Sequence, residues 1–148
     1  MVVGAVVLFG GNAYAGECPA DKVAKDSVTS GPSTPNGVTD MVIGSINLDF
    51  KSVAFKGEKF RMRQLVVQPG GVVPWHNHGE RPAIIYVVKG SITEYRSTCA
   101  VPIEHKSGEV TSEYGADLSH WWKNNSSEPA VLLSSDILHD TSTDKSSM

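Results

Sequence analysis

The sequence predicts an all-β domain, a small sandwich or barrel built of short antiparallel strands. Three observations predict it. Apolar and polar residues alternate in runs of five to ten, separated by Gly, Pro or Asn. No stretch carries a helical period. The chain has 148 residues, 40% of them hydrophobic, enough for a single core and one domain.

The first fifteen residues stand apart. MVVGAVVLFGGNAYA carries no charge, has an apolar run from Val2 to Phe9, and ends in Ala13-Tyr14-Ala15. That small-x-small ending suits a signal peptidase, and the run falls short of the roughly 20 residues that span a bilayer. The expectation is an exported chain, periplasmic or secreted, with residues 1–15 removed and a mature start near Gly16. No positively charged residue precedes the apolar run, so a shortened or misassigned start is the expectation; a buried N-terminal strand is the competing reading.

Residues 16–40 are rich in Ser, Thr, Pro, Gly and Lys and read as an extended arm with turns. Cys18 lies in the arm and Cys99 inside the domain; they are the two cysteines of the chain. In an oxidising compartment one pairing is open to them, and closing so long a loop contributes on the order of 4 kcal/mol. Two unrelated thiols are the alternative. Neither cysteine sits in a CxxC or near a candidate base, so a catalytic thiol is not expected.

Residues 41–140 form the domain. MVIGSINLDF (41–50) is its first solid strand, and EKFRMRQLVVQPGG (58–71) is a strand stopped by Pro-Gly-Gly. VVPWH, AIIYVV, SITEYR, VPIEH, EVTSEY, SHWWKN and AVLLSSDIL follow. In AIIYVV, Ala83, Ile85 and Val87 share one face while Ile84, Tyr86 and Val88 share the other. Both faces are apolar, so both are expected to be covered. The outer cover is either the arm or, by preference, a second copy of the chain in a homodimer. The polar tail 141–148 is expected to be disordered.

Charge excludes some partners. Thirteen Lys and Arg against sixteen Asp and Glu give a net −3, with no basic stripe. Nucleic acid and membrane surfaces are therefore not expected partners, and a small molecule is.

His76 and His78 stand one residue apart in an extended segment, so their imidazoles leave the same side of the strand. This is how one strand grips one ion, although two exposed histidines at a strand end look the same in a sequence. His120, in SHWWKN, supplies a third donor about forty residues later, with Trp122 on its face and Trp121 on the opposite one. Three imidazoles with open positions describe a working metal, and Zn, Fe, Ni, Cu and Mn all accept such donors.

Gly70 to Gly90 resembles the first motif of the cupin superfamily, G-x5-H-x-H-x3-4-E-x6-G, and Gly108, Gly115, His120 and Asn124 echo the second. The resemblance covers roughly residues 60–140. It implies a small antiparallel β-barrel or jelly roll with a divalent transition metal held by His76, His78 and His120. Ile85, Val87, Trp122 and Asn124 are then expected to wall the pocket.

The chain departs from the pattern where the motif-one Glu belongs: Ala83 occupies that place. Glu80 is the nearest substitute, but GERP reads as a turn, so Glu80 is either a ligand or a loop residue partnering Arg81. Without a carboxylate the site resembles cupin thiol and diketone dioxygenases, which implies oxygenase-type chemistry on a small chelating molecule. Alternatives stay open: a non-catalytic metal or small-ligand binder, or a metal-free scaffold.

His105 is expected on the surface. His139 is either a surface residue or an acid–base partner of Asp140 at the barrel mouth. Arg61 and Arg63 share a face as a solvated edge or as an anchor for a substrate carboxylate.

Overall fold

The computed structural model describes residues 16–139; the leader expected at 1–15, Asp140 and the tail 141–148 lie outside them. Six strands follow one another: β1 (Asn36–Asn47), β2 (Glu58–Lys89), β3 (Ser91–Arg96), β4 (Ile103–Lys106), β5 (Val110–Lys123) and β6 (Ala130–His139). Two single-turn 3-10 helices, Ala20–Lys22 and Val53–Phe55, are the remaining regular elements among the described residues. None of their helices is long and apolar enough to cross a membrane.

The sheet is antiparallel throughout, in the order β1-β2-β5-β3-β4, with β6 also on β2. β2 does most to curve it. Its 32 residues merge several runs expected as separate strands, because at the Pro-Gly-Gly and GERP breaks the register shifts and pairing resumes beyond. β6 pairs twice with β2, first against Glu58–Val67 and again against Ala83–Lys89. One strand thus lies between two halves of another, and the sheet wraps on itself.

Alternation builds the core. Leu65, Val67, Val73, Ala83, Ile85, Val87, Ile92, Trp122, Ala130 and Leu132 are buried together inside the wrap. Gly90 closes the β2–β3 corner with φ +79°, and a Cβ there would lie 2.8 Å from the Pro129 carbonyl oxygen. Glycine alone meets both demands.

The arm is tied down. Cys18 and Cys99 form a disulfide, and Val23 makes an isolated bridge to Cys99. β1 begins at Asn36, earlier than the expected strand start at Met41, so the last residues of the arm belong to the sheet. The arm leaves the outer face of AIIYVV uncovered: Ile84, Tyr86 and Val88 are 55%, 41% and 42% exposed.

The largest departure from expectation is the inward face of early β2. Arg61 and Arg63 are buried, not a solvated edge. Arg61 makes a two-pronged pair with Asp136, Nε to Oδ1 at 3.0 Å and Nη2 to Oδ2 at 2.8 Å. Arg63 pairs with Asp40 and donates to Ser134 Oγ at 3.3 Å. Buried charge survives when paired in this way.

Candidate metal centre

β2 and β5 place the three histidines. His76 and His120 are direct cross-strand partners, so their side chains meet on one face. His78 follows His76 on the same side. The three ring centroids are 4.5 to 4.9 Å apart. His78 and His120 are buried and His76 half-buried.

The second nitrogen of each ring fixes the role of the first. Nδ1 of His76 donates to the Pro74 carbonyl at 2.8 Å, Nδ1 of His78 to the Arg81 carbonyl at 2.8 Å, and Nδ1 of His120 to the Glu94 carboxylate. With Nδ1 carrying the hydrogen, each Nε2 presents a lone pair to the centre. Nε2 of His76 and Nε2 of His120 stand 3.1 Å apart.

A carboxylate completes the group. Glu113 in β5 brings Oε2 to 3.1 Å from His78 Nε2 and Oε1 to 3.7 Å from His120 Nε2. The four ligand atoms all lie within 4.8 Å of one another. Glu113 also explains the empty place in the motif: it is the direct cross-strand partner of Ala83. A carboxylate thus stands on the neighbouring strand, opposite the alanine. Glu80, the substitute considered from the sequence, is exposed.

The electrostatics match a cation site. Burial lowers the pKa of His76 to about 2 and of His78 to about 3, helped by His120, so both stay neutral. Burial raises Glu113 to about 7. Burial alone would lower His120, but Glu113 and Glu94 outweigh it and raise its pKa. Nε2 of His78 is buried with no hydrogen-bond partner despite its closeness to Glu113. Lone pairs and a carboxylate facing one another repel unless a proton or a metal stands between them. The N3O donor set suits the divalent transition metals expected from the sequence.

Behind His120 lies a buried network. Glu94 accepts from His120 Nδ1, from His105 Nε2 at 2.9 Å, and from Arg96 Nε and Nη2 at 2.8 and 2.9 Å. Burial would raise its pKa, but the bonds from His105 and His120 hold it well below the usual carboxylate range. This is the outer-shell carboxylate that orients a ligating imidazole. His105 is therefore no surface histidine: it is 1% exposed and stacks on Trp122 at 4.5 Å. The sequence signal was available, since Ile103 and His105 alternate inward along β4.

A cavity of about 30 Å³ opens beside the group, walled by Leu65, Val73, Ile85, Trp122 and Leu132 and edged by Arg63 and Arg81. Ile85 and Trp122, expected as pocket walls, line this cavity. Val87 and Asn124 do not line it. Val87 packs in the core, and Asn124 Nδ2 donates to the carbonyls of Val67 and Glu128 at 2.9 and 2.7 Å, pinning the turn before β6. Trp121 faces outward as expected and stacks on Tyr95. His139 is exposed and meets Glu58 at 3.1 Å, away from the donor group. A larger open depression, about 600 Å³, lies against Glu17, Tyr114 and Asp117, and the metal-ligating group among the described residues lies elsewhere.

Known structures share the fold. The chain is similar to the cupin domain of Cnp3 from Schizosaccharomyces pombe, with TM-score 0.54 and 14% identity over 74% of this chain and 70% of that one. It is also similar to a Cupin 2 conserved barrel domain protein from Salinispora arenicola, with TM-score 0.52 and 15% identity over 67% and 74%. A third is an uncharacterized protein with a double-stranded β-helix domain from Klebsiella pneumoniae, with TM-score 0.53 and 14% identity over 73% and 84%. At these identities the likeness is one of fold. No curated protein matches the chain. The cupin domain family model matches residues 63–136, from the buried arginine of β2 to the aspartate that neighbours it on β6, and the chain belongs to the cupin superfamily.

Proposed function

We propose that this cupin is an exported protein that holds one divalent transition metal on His76, His78, His120 and Glu113 and uses it to bind and activate a small chelating molecule. The observation that carries the reading is the convergence of three Nε2 lone pairs and one carboxylate, with every Nδ1 already committed elsewhere. The bound ion supplies a Lewis acid and a template for the substrate. The chain's own residues do the rest: Glu94 orients His120, two backbone carbonyls orient His76 and His78, and the apolar wall keeps water away. Oxygenase-type turnover with a redox-active ion is the activity proposed.

The disulfide supports the export reading, because such bonds persist in oxidising compartments. Protein recovered from the exported fraction without a histidine tag is expected to carry about one equivalent of Fe, Mn, Zn, Ni or Cu. Its mass should place the N-terminus near Gly16. Metal together with oxygen uptake on a panel of small chelating molecules marks an enzyme, and metal without consumption marks a binding protein. A metal-free preparation that takes up none of these ions refutes both and leaves a scaffold.

The outer sheet face supports a homodimer. Phe60, Met62, Ile84, Tyr86, Val88 and Tyr114 are all exposed there, and an apolar patch of this kind marks an interface. Light scattering is expected to give twice the chain mass, and Tyr86→Lys to shift it toward the monomer. A wild-type monomer at tens of micromolar, a concentration at which a working homodimer is assembled, overturns this part.

A further inference from the structure

Arginines gather at the edge of the cavity beside the donor group. Arg61, Arg63 and Arg81 approach Asp136, and Asp40 stands behind Arg63. Arg61 saturates Asp136 with both prongs, so the other arginines reach only its outer side, at 3.5 Å for Arg63 and 3.7 Å for Arg81. Arg81 is the least committed. Its guanidinium has no hydrogen bond among the described residues, its side chain is 17% exposed, and it edges the same cavity as His76, His78 and Glu113. Glu113, the next carboxylate, faces His78 and His120.

From this arrangement, and resting on the metal reading above, we infer that the cavity takes the carboxylate of a small anionic ligand, held by Arg81 and backed by Arg63, alongside the metal position. The free space of about 30 Å³ admits a carboxylate head and little more, so the remainder of the ligand points to the mouth. Apolar walls on the remaining sides strengthen the attraction, because little water screens it. A guanidinium fork matches a planar carboxylate in shape as well as charge. Burial and the neighbouring Arg63 both work against the charge of Arg81, a cost that an incoming anion removes.

The test titrates zinc-loaded protein with glycolate and with its neutral isostere glycolamide. Glycolate is expected to bind at least about tenfold more tightly than glycolamide. Arg81→Gln should weaken glycolate by about 10- to 100-fold, the loss of one charge-assisted bond, while glycolamide binding and zinc stoichiometry stay unchanged. Arg81→Lys, which keeps the charge and loses the fork, should fall between. Thermal melting checks that each variant is folded. A folded Arg81→Gln protein that binds glycolate like the wild type overturns the inference. If the wild type takes up no zinc, the metal reading has failed on its own. The same titration on the metal-free chain then still decides whether glycolate binding depends on Arg81.

Discussion

Glu113→Gln protein is expected to bind divalent metal at least about 100-fold more weakly than the wild type, a larger loss than outer-shell substitutions produce. The change is isosteric, so the fold and the three imidazoles remain, and what disappears is the one negative charge among the donors. The pH dependence should follow from the same residue. Glu113, raised by burial to about 7, is a carboxylate above that pH and a carboxylic acid below it. Metal affinity therefore falls as pH drops through neutrality, because the proton and the ion compete for the same oxygens. His120, also raised, competes in the same direction. His76 and His78, held near 2 and 3, take no part until the solution is strongly acidic. Chelator competition across roughly pH 5 to 8 reads both effects, spanning the range in which carboxyl and imidazole groups titrate. A variant that holds metal as tightly as the wild type, with the same pH profile, would remove Glu113 from the site.

Why this glutamate was not legible in the sequence is a matter of phase. Strict alternation along a strand puts residues of like parity on one face. Counting back from His120 through Leu118 therefore assigns Glu113 to the outside. In the structure Leu118, His120 and Trp122 point inward, and so do Thr111 and Glu113, because the pairing of β2 with β5 slips between Asn77↔Ser119 and His78↔Gly115. Gly115, at φ +97°, ends the slip and tolerates the backbone it needs. The slip turns the strand over by one residue and brings the carboxylate in. A bulge leaves only a glycine as its trace, so alternation alone misplaced the residue. The paired histidines needed no such correction, since i and i+2 share a face wherever the strand is continuous. His120 was placed by its likeness to a known motif and by Trp122 beside it. The alternation of Ala83, Ile85 and Val87 against Ile84, Tyr86 and Val88 was likewise readable and holds. The buried arginines failed for a different reason. Arg61 and Arg63 occupy inward positions that composition assigns to solvent, and the distant Asp136 and Asp40, brought close by β6 and β1, make that burial affordable. Partners so far apart in the chain leave no local pattern.

Those partners lead to the second large effect. Asp136→Asn is expected to destabilise the fold by about 3–5 kcal/mol, the range for breaking a buried ion pair from one side. Asp136 carries both prongs of Arg61 and lies against Arg63 and Arg81. An amide keeps the shape and one acceptor but cancels none of their charge. Domains of this size have stabilities of about 5–15 kcal/mol, so the variant should stand close to the threshold of unfolding. Arg61→Met at the other end of the pair leaves Asp136 with Arg63 and Arg81 still near, and should cost less than Asp136→Asn does. That order is the informative part. If the arginines only needed neutralising, either end would serve equally. If they form a cationic wall that a single aspartate holds in place for an incoming anion, removing the aspartate is the worse injury, and an added small carboxylate should restore part of the loss by binding the folded state. Urea denaturation of metal-free protein, with and without glycolate, measures each variant. A loss below about 1 kcal/mol for Asp136→Asn, the range of an exposed surface pair, would mean that the charges on this face of the barrel are solvated rather than held by Asp136.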